Sequence, residues 1–207
     1  GYTKGWNKYF NGSIDEAHIF NRSLSASEVW ELYTLEYNRT NRGNNGFVQN
    51  FTNVSLALRA KNYSFNDSGL VGWWDLGDSS DNETVTGKSL DLSGSNNGGL
   101  FGNATVLTQP VINSSACSVG SCLNFSVRQF VNSTNSLNVI SPYSIAAWFR
   151  YDVAPAANQS ILSSGNNRSL HVTPNKELAW YYNGNSVVST VGVTTSAWHH
   201  AIVLSNA

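Results

Sequence analysis

The sequence predicts an all-β fold, an antiparallel β-sandwich with one helix, on three observations. Short runs rich in β-branched and aromatic residues recur along the 207 residues, separated by Gly- and Asn-bearing turns, which is the pattern of a sandwich. In ELAWYYNGNSVVSTV two such runs flank Asn183 and Gly184, the dipeptide that most readily supplies the two positive-φ positions of a tight hairpin. Only LSASEVWELY combines a helix-start signature with helical apolar spacing. At 41% hydrophobic and 12% charged, the chain can bury a proper core.

The first strand expected is GSIDEAHIF. Under strict alternation Ile14 falls out of phase with Ala17 and Ile19, which predicts a bulge or twist near Asp15 and Glu16. The helix starts at Ala26: Ser25 is its N-cap, Glu28 completes a capping box, and Leu24 and Val29 hold the staple positions. Val29, Leu32 and Tyr33 form its apolar face. Residues 36–52 are polar, Asn-rich and aperiodic and read as a linker. A strand resumes in NVSLALRA, where Val54, Leu56, Leu58 and Ala60 share a face. LVGWWDL, SCLNFSV, YSIAAWFRY, QSILSS, SLHVTP and WHHAIVLS are the further strands. Three regions result: 1–35, a strand and helix; 36–69, linker and connecting strand; and 70–207, the body.

Charge excludes some partners. Net charge is −1 and no run of Lys or Arg could track a phosphate backbone, so nucleic acid and anionic membrane are not expected. No stretch reaches the roughly 20 apolar residues of a membrane span. The chain has no Met and starts with Gly, which predicts a piece of a longer precursor, so a missing signal peptide carries no information about export.

Secretion is argued from Asn-x-Ser/Thr triplets instead. Fourteen occur, at Asn11, Asn21, Asn38, Asn50, Asn53, Asn62, Asn66, Asn82, Asn103, Asn113, Asn124, Asn132, Asn158 and Asn167. Random placement of the Asn, Ser and Thr present would give about 5 or 6. The excess predicts a surface carrying covalent N-glycans, the competing reading being coincidence of loop-forming residues. In CLNFSV, alternation sets Leu123 and Phe125 on one face and Asn124 on the other, free to carry a sugar. Cys117 and Cys122, the two cysteines, bracket a Gly-containing turn. They suit a local disulfide worth about 2 kcal/mol in the chain-entropy model, with two free thiols as the alternative. Two thiols are too few for a zinc site.

Several of these segments together resemble a known family. A strand like LVGWWDL, a loop like DLSGSNNGGLFGNAT, then segments like VGSCLNFS, SIAAWFRY and AWHHAIVLS, and a finish like YFNGSIDEAHIFNRSLSASEVWELY resemble laminin G-like, concanavalin A-like jelly-roll domains found in tandem on microbial and archaeal surface proteins. The resemblance covers about four fifths of the chain and implies a jelly roll, but with the finishing strand and helix displaced to residues 1–35. It also implies that first and last strands are sheet neighbours, so a body without its last strands would show an unpaired edge. Three closures are open: donation of residues 1–35 into the next copy, building a head-to-tail filament; folding back on its own body; or completion of a preceding domain in an array. The 34 residues from 36 to 69 reach about 110 Å when extended, so reach does not choose. In the leading expectation, donation, Ile14, Ala17, Ile19, Phe20, Val29, Leu32 and Tyr33 lie between subunits, and copies of the chain are its partners.

Chemistry finds no anchor, and no catalytic residue is assigned. Asp15 and Glu16 are adjacent, so on a strand they cannot flank one glycosidic bond. His199 and His200 face opposite ways, and no Ser lies in a nucleophile elbow. The non-enzymatic alternative to a filament is carbohydrate binding, since seven Trp and nine Tyr offer faces for sugars. Trp73 and Trp74 point oppositely, as do Trp180 and Tyr182 against Tyr181. No cofactor is expected, although DLGDSSDNE supplies Asp75, Asp78, Asp81 and Glu83 as candidate oxygen ligands for calcium. The bland reading is a solvated acidic loop. The expected setting is extracellular, on a cell surface.

Overall fold

A computed structural model describes residues 2–3, 8–44, 68–76, 88–89, 91–93, 98–101, 111–113, 117–118, 121–126, 129–133, 140–164 and 168–206. In chain order these form β1 (Tyr2–Thr3), β2 (Lys8–Tyr9), β3 (Gly12–Phe20), α1 (Ala26–Asn44), β4 (Leu70–Trp74), β5 (Lys88–Ser89), β6 (Gly98–Phe101), β7 (Val111–Asn113) and β8 (Cys122–Phe125). There follow β9 (Phe130–Ser133), β10 (Tyr143–Arg150), β11 (Gln159–Ser164), β12 (Arg168–Val172), β13 (Glu177–Tyr182), β14 (Asn185–Gly192) and β15 (His199–Ser205). The architecture is the expected antiparallel jelly-roll sandwich. The segment NVSLALRA lies outside the described residues.

The first sheet runs β15-β10-β3-β8-β7, with β4 beside β8 along the second edge of β3. The second runs β11-β12-β13-β14. Between them, Ile14, Ala17, Trp74, Leu123, Phe125, Ala147 and Phe149 meet Ile161, Leu170 and Val172. A second, smaller core lies on the opposite face of the first sheet, where Ala146 and Phe20 pack with Leu24 and Leu32. The centre is thus three layers: sheet, sheet and helix. This is why YSIAAWFR reads as a nearly continuous apolar run: β10 is covered on both faces. Beyond β10, the buried Tyr151 donates its hydroxyl hydrogen to the Val193 carbonyl at 2.7 Å, and burial raises its pKa.

Local signals match local structure. Ser25 N–H donates to Glu28 Oε2 at 2.8 Å and Glu28 N–H donates to Ser25 Oγ at 3.3 Å, the reciprocal capping box. Arg22 adds an ion pair to Glu28 at 2.7 Å. The Arg22 hydrogen bond and the two from Ser25 lower the Glu28 pKa to about 2. Leu24 is buried, and Val29 packs against its cluster, as staple partners do. The helix does not stop at residue 35, however: it continues through Asn44, so the linker expected from residue 36 starts inside it. Once a capped turn has nucleated, each added residue escapes that cost, and polar residues can extend the coil.

The β3 bulge is also present. Ala146 pairs with His18 and Trp148 with Asp15, so β3 spends one more residue than β10, and Glu16 takes φ 46°. The extra residue brings Ile14, Ala17 and Ile19 to the same core. At Asn183 and Gly184, φ values of 46° and 87° make the tight turn joining β13 to β14. Cys117 and Cys122 are disulfide-bonded.

The closing segment sits in its own chain. β3 hydrogen-bonds to β10 along one edge and to β4 and β8 along the other. Ile14, Ala17, Ile19, Phe20, Val29 and Leu32 pack within these intramolecular cores, and Tyr33 stacks on Trp148. Within one chain these residues thus have intramolecular partners, and donation into a next copy is not supported. The gap that a neighbour would fill is already occupied, and a tethered strand competes at high effective concentration.

Candidate functional site

Alternation on two paired strands builds the floor of an open groove. Trp148 pairs with His200 and Ala146 with Ile202, so these four side chains share the face of the first sheet that carries α1. Their neighbours Phe149, Ala147, His199 and Ala201 turn the other way, toward the sandwich interior, as the opposed reading of His199 and His200 requires. Helix α1 lies over this face and supplies Ala26, Val29, Trp30 and Tyr33, an i, i+3, i+4, i+7 stripe. Between the stripe and β15 lies an open cavity of 390 Å³, lined by those four residues with His200 and Ile202.

The described lining of the groove is aromatic and uncharged. Tyr33 stacks on the buried Trp148, with centroids 5.5 Å apart and planes 22° from parallel. His200 lies 5.0 Å from Trp148 and 5.7 Å from Tyr33. Burial lowers the His200 pKa to about 4, so the imidazole is neutral at neutral pH. Trp30 lies 5.7 Å from Tyr33 and remains 66% exposed at the rim. Such a groove offers flat π faces and apolar edges, and among the described residues no carboxylate or cation lines it. Trp30 falls outside the helical face predicted from Val29, Leu32 and Tyr33; its spacing of four from Ala26 and three from Tyr33 was the available signal.

The other candidate residues are placed as follows. Asp15 and Glu16 are both fully buried. Glu16 Oε2 accepts the Trp73 indole N–H at 2.8 Å, and its carbonyl lies 3.0 Å from His18 Nδ1. The His18 ring stacks on Trp73 at 5.3 Å. These contacts leave that carboxylate in packing, not in a cleft. Asp75 is buried, while Asp78, Asp81 and Glu83 lie outside the described residues. Among the described residues no three His, Cys, Asp or Glu side chains are grouped to hold a metal. Trp74 enters the core, opposite Trp73. Trp180 packs on Tyr143 at 6.1 Å, and Tyr182 holds the Arg168 guanidinium 4.9 Å from its ring.

Of the sequon asparagines, Asn11, Asn21, Asn124 and Asn132 are exposed. Asn124 stands between buried Leu123 and Phe125, with the phase expected. Asn158 is half-buried, its Nδ2 3.3 Å from His171 Nε2. Asn38 lies in α1 and Asn113 in β7; Asn50, Asn53, Asn62, Asn66, Asn82, Asn103 and Asn167 lie outside the described residues.

Comparison with known proteins agrees with this architecture. Residues 126–207 match the laminin G-like model of the concanavalin A-like lectin/glucanases superfamily. The match spans β9 to β15, and so includes β10 and β15 under the groove, but not β3 or α1. No curated protein and no solved structure matches the chain.

Proposed function

We propose that this chain is a non-enzymatic, extracellular adhesion module of the lectin type, which holds a carbohydrate in the groove between α1 and β15. The observation that carries the reading is Trp30, largely exposed at the rim of a neutral aromatic floor. Sugars present an apolar C–H face that packs flat on such rings, with hydroxyls left toward water. The superfamily match supports a lectin-like role. The fourteen sequons and the disulfide suit an oxidising, extracellular setting in which the module itself carries N-glycans.

A glycan array with the wild-type chain and Trp30→Ala, each with and without a calcium chelator, tests this. Selective binding that survives the chelator and falls about tenfold or more in Trp30→Ala is expected, since losing one aromatic platform costs on the order of 1 kcal/mol beyond its buried area. Binding that ignores Trp30 but requires calcium would move the site to the acidic residues 75–83.

A further inference from the structure

N-glycosylation makes two demands of an acceptor triplet. The asparagine Nδ2 must reach the sugar donor, and the hydroxyl two residues on must reach the transferring enzyme, because only Ser or Thr serves there. Four triplets have their side chains described throughout, those that start at Asn11, Asn21, Asn124 and Asn158. The fold treats them differently.

Two are closed. Asn158 is half-buried and its Nδ2 donates to His171 Nε2 at 3.3 Å. His171 is itself buried, with Nδ1 3.3 Å from Ser169 Oγ. The acceptor hydroxyl of this triplet belongs to Ser160, which pairs with His171 inside the second sheet and is 0% exposed. Asn11 is exposed, but its Ser13 is 7% exposed, held in β3 between β10 and β8. Gly12 between them packs so closely that a Cβ would stand 2.2 Å from the Arg150 carbonyl oxygen. The two closed triplets also hold each other, as the Asn11 N–H donates to Gln159 Oε1 at 3.2 Å.

One is open. Asn124 and Ser126 are both exposed, and only Phe125 between them is buried. Leu123 and Phe125 enter the sandwich core, so Asn124 stands on the opposite face, the one that bears α1, where a sugar stays clear of that core. Asn21 is intermediate: it is exposed, while its half-buried Ser23 donates a hydroxyl hydrogen to Asn206 Oδ1 at 2.8 Å.

We propose that the fold sorts these sequons, so that Asn124 accepts sugar on the folded chain, whereas Asn11 and Asn158 accept it only before β3 and β11 are seated. The proposal rests on the reading above that the triplets are acceptors. In the transfer, Asn Nδ2 bonds to the anomeric carbon of a lipid-phosphate-linked oligosaccharide. The bond from that carbon to the phosphate oxygen breaks, the lipid phosphate leaves with the bonding pair, and one Nδ2 proton passes to a base of the enzyme. A closed triplet reaches this step only through local opening of its strand, which slows it by the fraction of time spent open.

The test uses the full chain made without N-glycans, folded and with its disulfide formed. It is treated with a single-subunit oligosaccharyltransferase and a lipid-linked oligosaccharide, beside unfolded peptides 6–17, 119–130 and 153–164. Site-resolved mass spectrometry gives the rate at each asparagine. The folded chain should match its peptide within about twofold at Asn124 and lag by about tenfold or more at Asn11 and Asn158. Equal lags at all three sites overturn the proposal, as does an Asn158 modified as fast in the chain as in its peptide. So does an Asn124 left bare in both. Mass mapping of the naturally produced chain tests the glycoprotein reading separately: bare asparagines there would fail that reading and leave these rate ratios standing.

Discussion

Strands β10 and β14 each have eight residues and the same two-residue period, yet one is buried along nearly its whole length and the other is exposed along nearly all of it. β10 lies inside its sheet, with the second sheet on one face and α1 on the other. β14 lies at an edge and projects past both cores. Strand geometry alternates side chains in both cases; the layers stacked above and below decide what alternation costs. A strand with two covered faces needs apolar or hydrogen-bonded residues at every position, and Ser144 meets that demand by accepting the Leu24 N–H at 2.8 Å and donating to the Arg22 carbonyl at 2.9 Å.

The sharpest way to break the comparison is to remove one of the covering layers. Deleting residues 1–35 takes away β3 and the start of α1, and the expected result is loss of the cooperative unfolding transition in a denaturant titration. A body that still unfolds cooperatively would show that β3 does not close its own domain.

Next in size, Phe149→Ala on β10 should cost about 3–5 kcal/mol by chemical denaturation, because its ring is fully buried. The matched change on β14, Val187→Ala, should stay within about 0.5 kcal/mol. Equal losses would mean that β14 is covered within one chain.

A third prediction sharpens the helix-side layer by pH. The folded state holds the His200 pKa near 4, below its ordinary value of 6.5. The unfolded chain thus takes up a proton that the folded chain refuses. This contribution to stability is full above pH 6.5 and is lost as pH falls toward 4. His200→Gln should flatten that part of the stability–pH curve. The Glu28 pKa is also lowered, so its contribution persists above about 4.5 and fades only as pH falls toward 2; the two windows are separable in a pH series of melts. The smallest effect on this layer is expected from Ser25→Ala, about 1 kcal/mol for the lost cap, read in the same melts.

Much of the fold was legible because its signals are local. The Asn183–Gly184 hairpin, the Ser25–Glu28 box, the Asn124 phase and the bulge at Glu16 each depend on residues within a turn or two of one another. The length of α1 was not legible, since residues 36–44 have weak helical chemistry and extend a helix nucleated elsewhere. Nor was the groove: Trp30 lies off the apolar face read from Val29, Leu32 and Tyr33, and Trp148 and His200 are 115 or more positions further along the chain.

The sequence by itself determined where strands begin and turn, how the helix is capped, which two cysteines could pair and how far the Asn-x-Ser/Thr triplets extend. Only the tertiary structure decided that β3 closes its own sheet, that β10 is covered twice and β14 not at all, and that α1 meets β15 along an aromatic groove. The reason is physical: local preferences act through neighbours in the chain, whereas burial depends on which distant segments repay the entropy of being brought together.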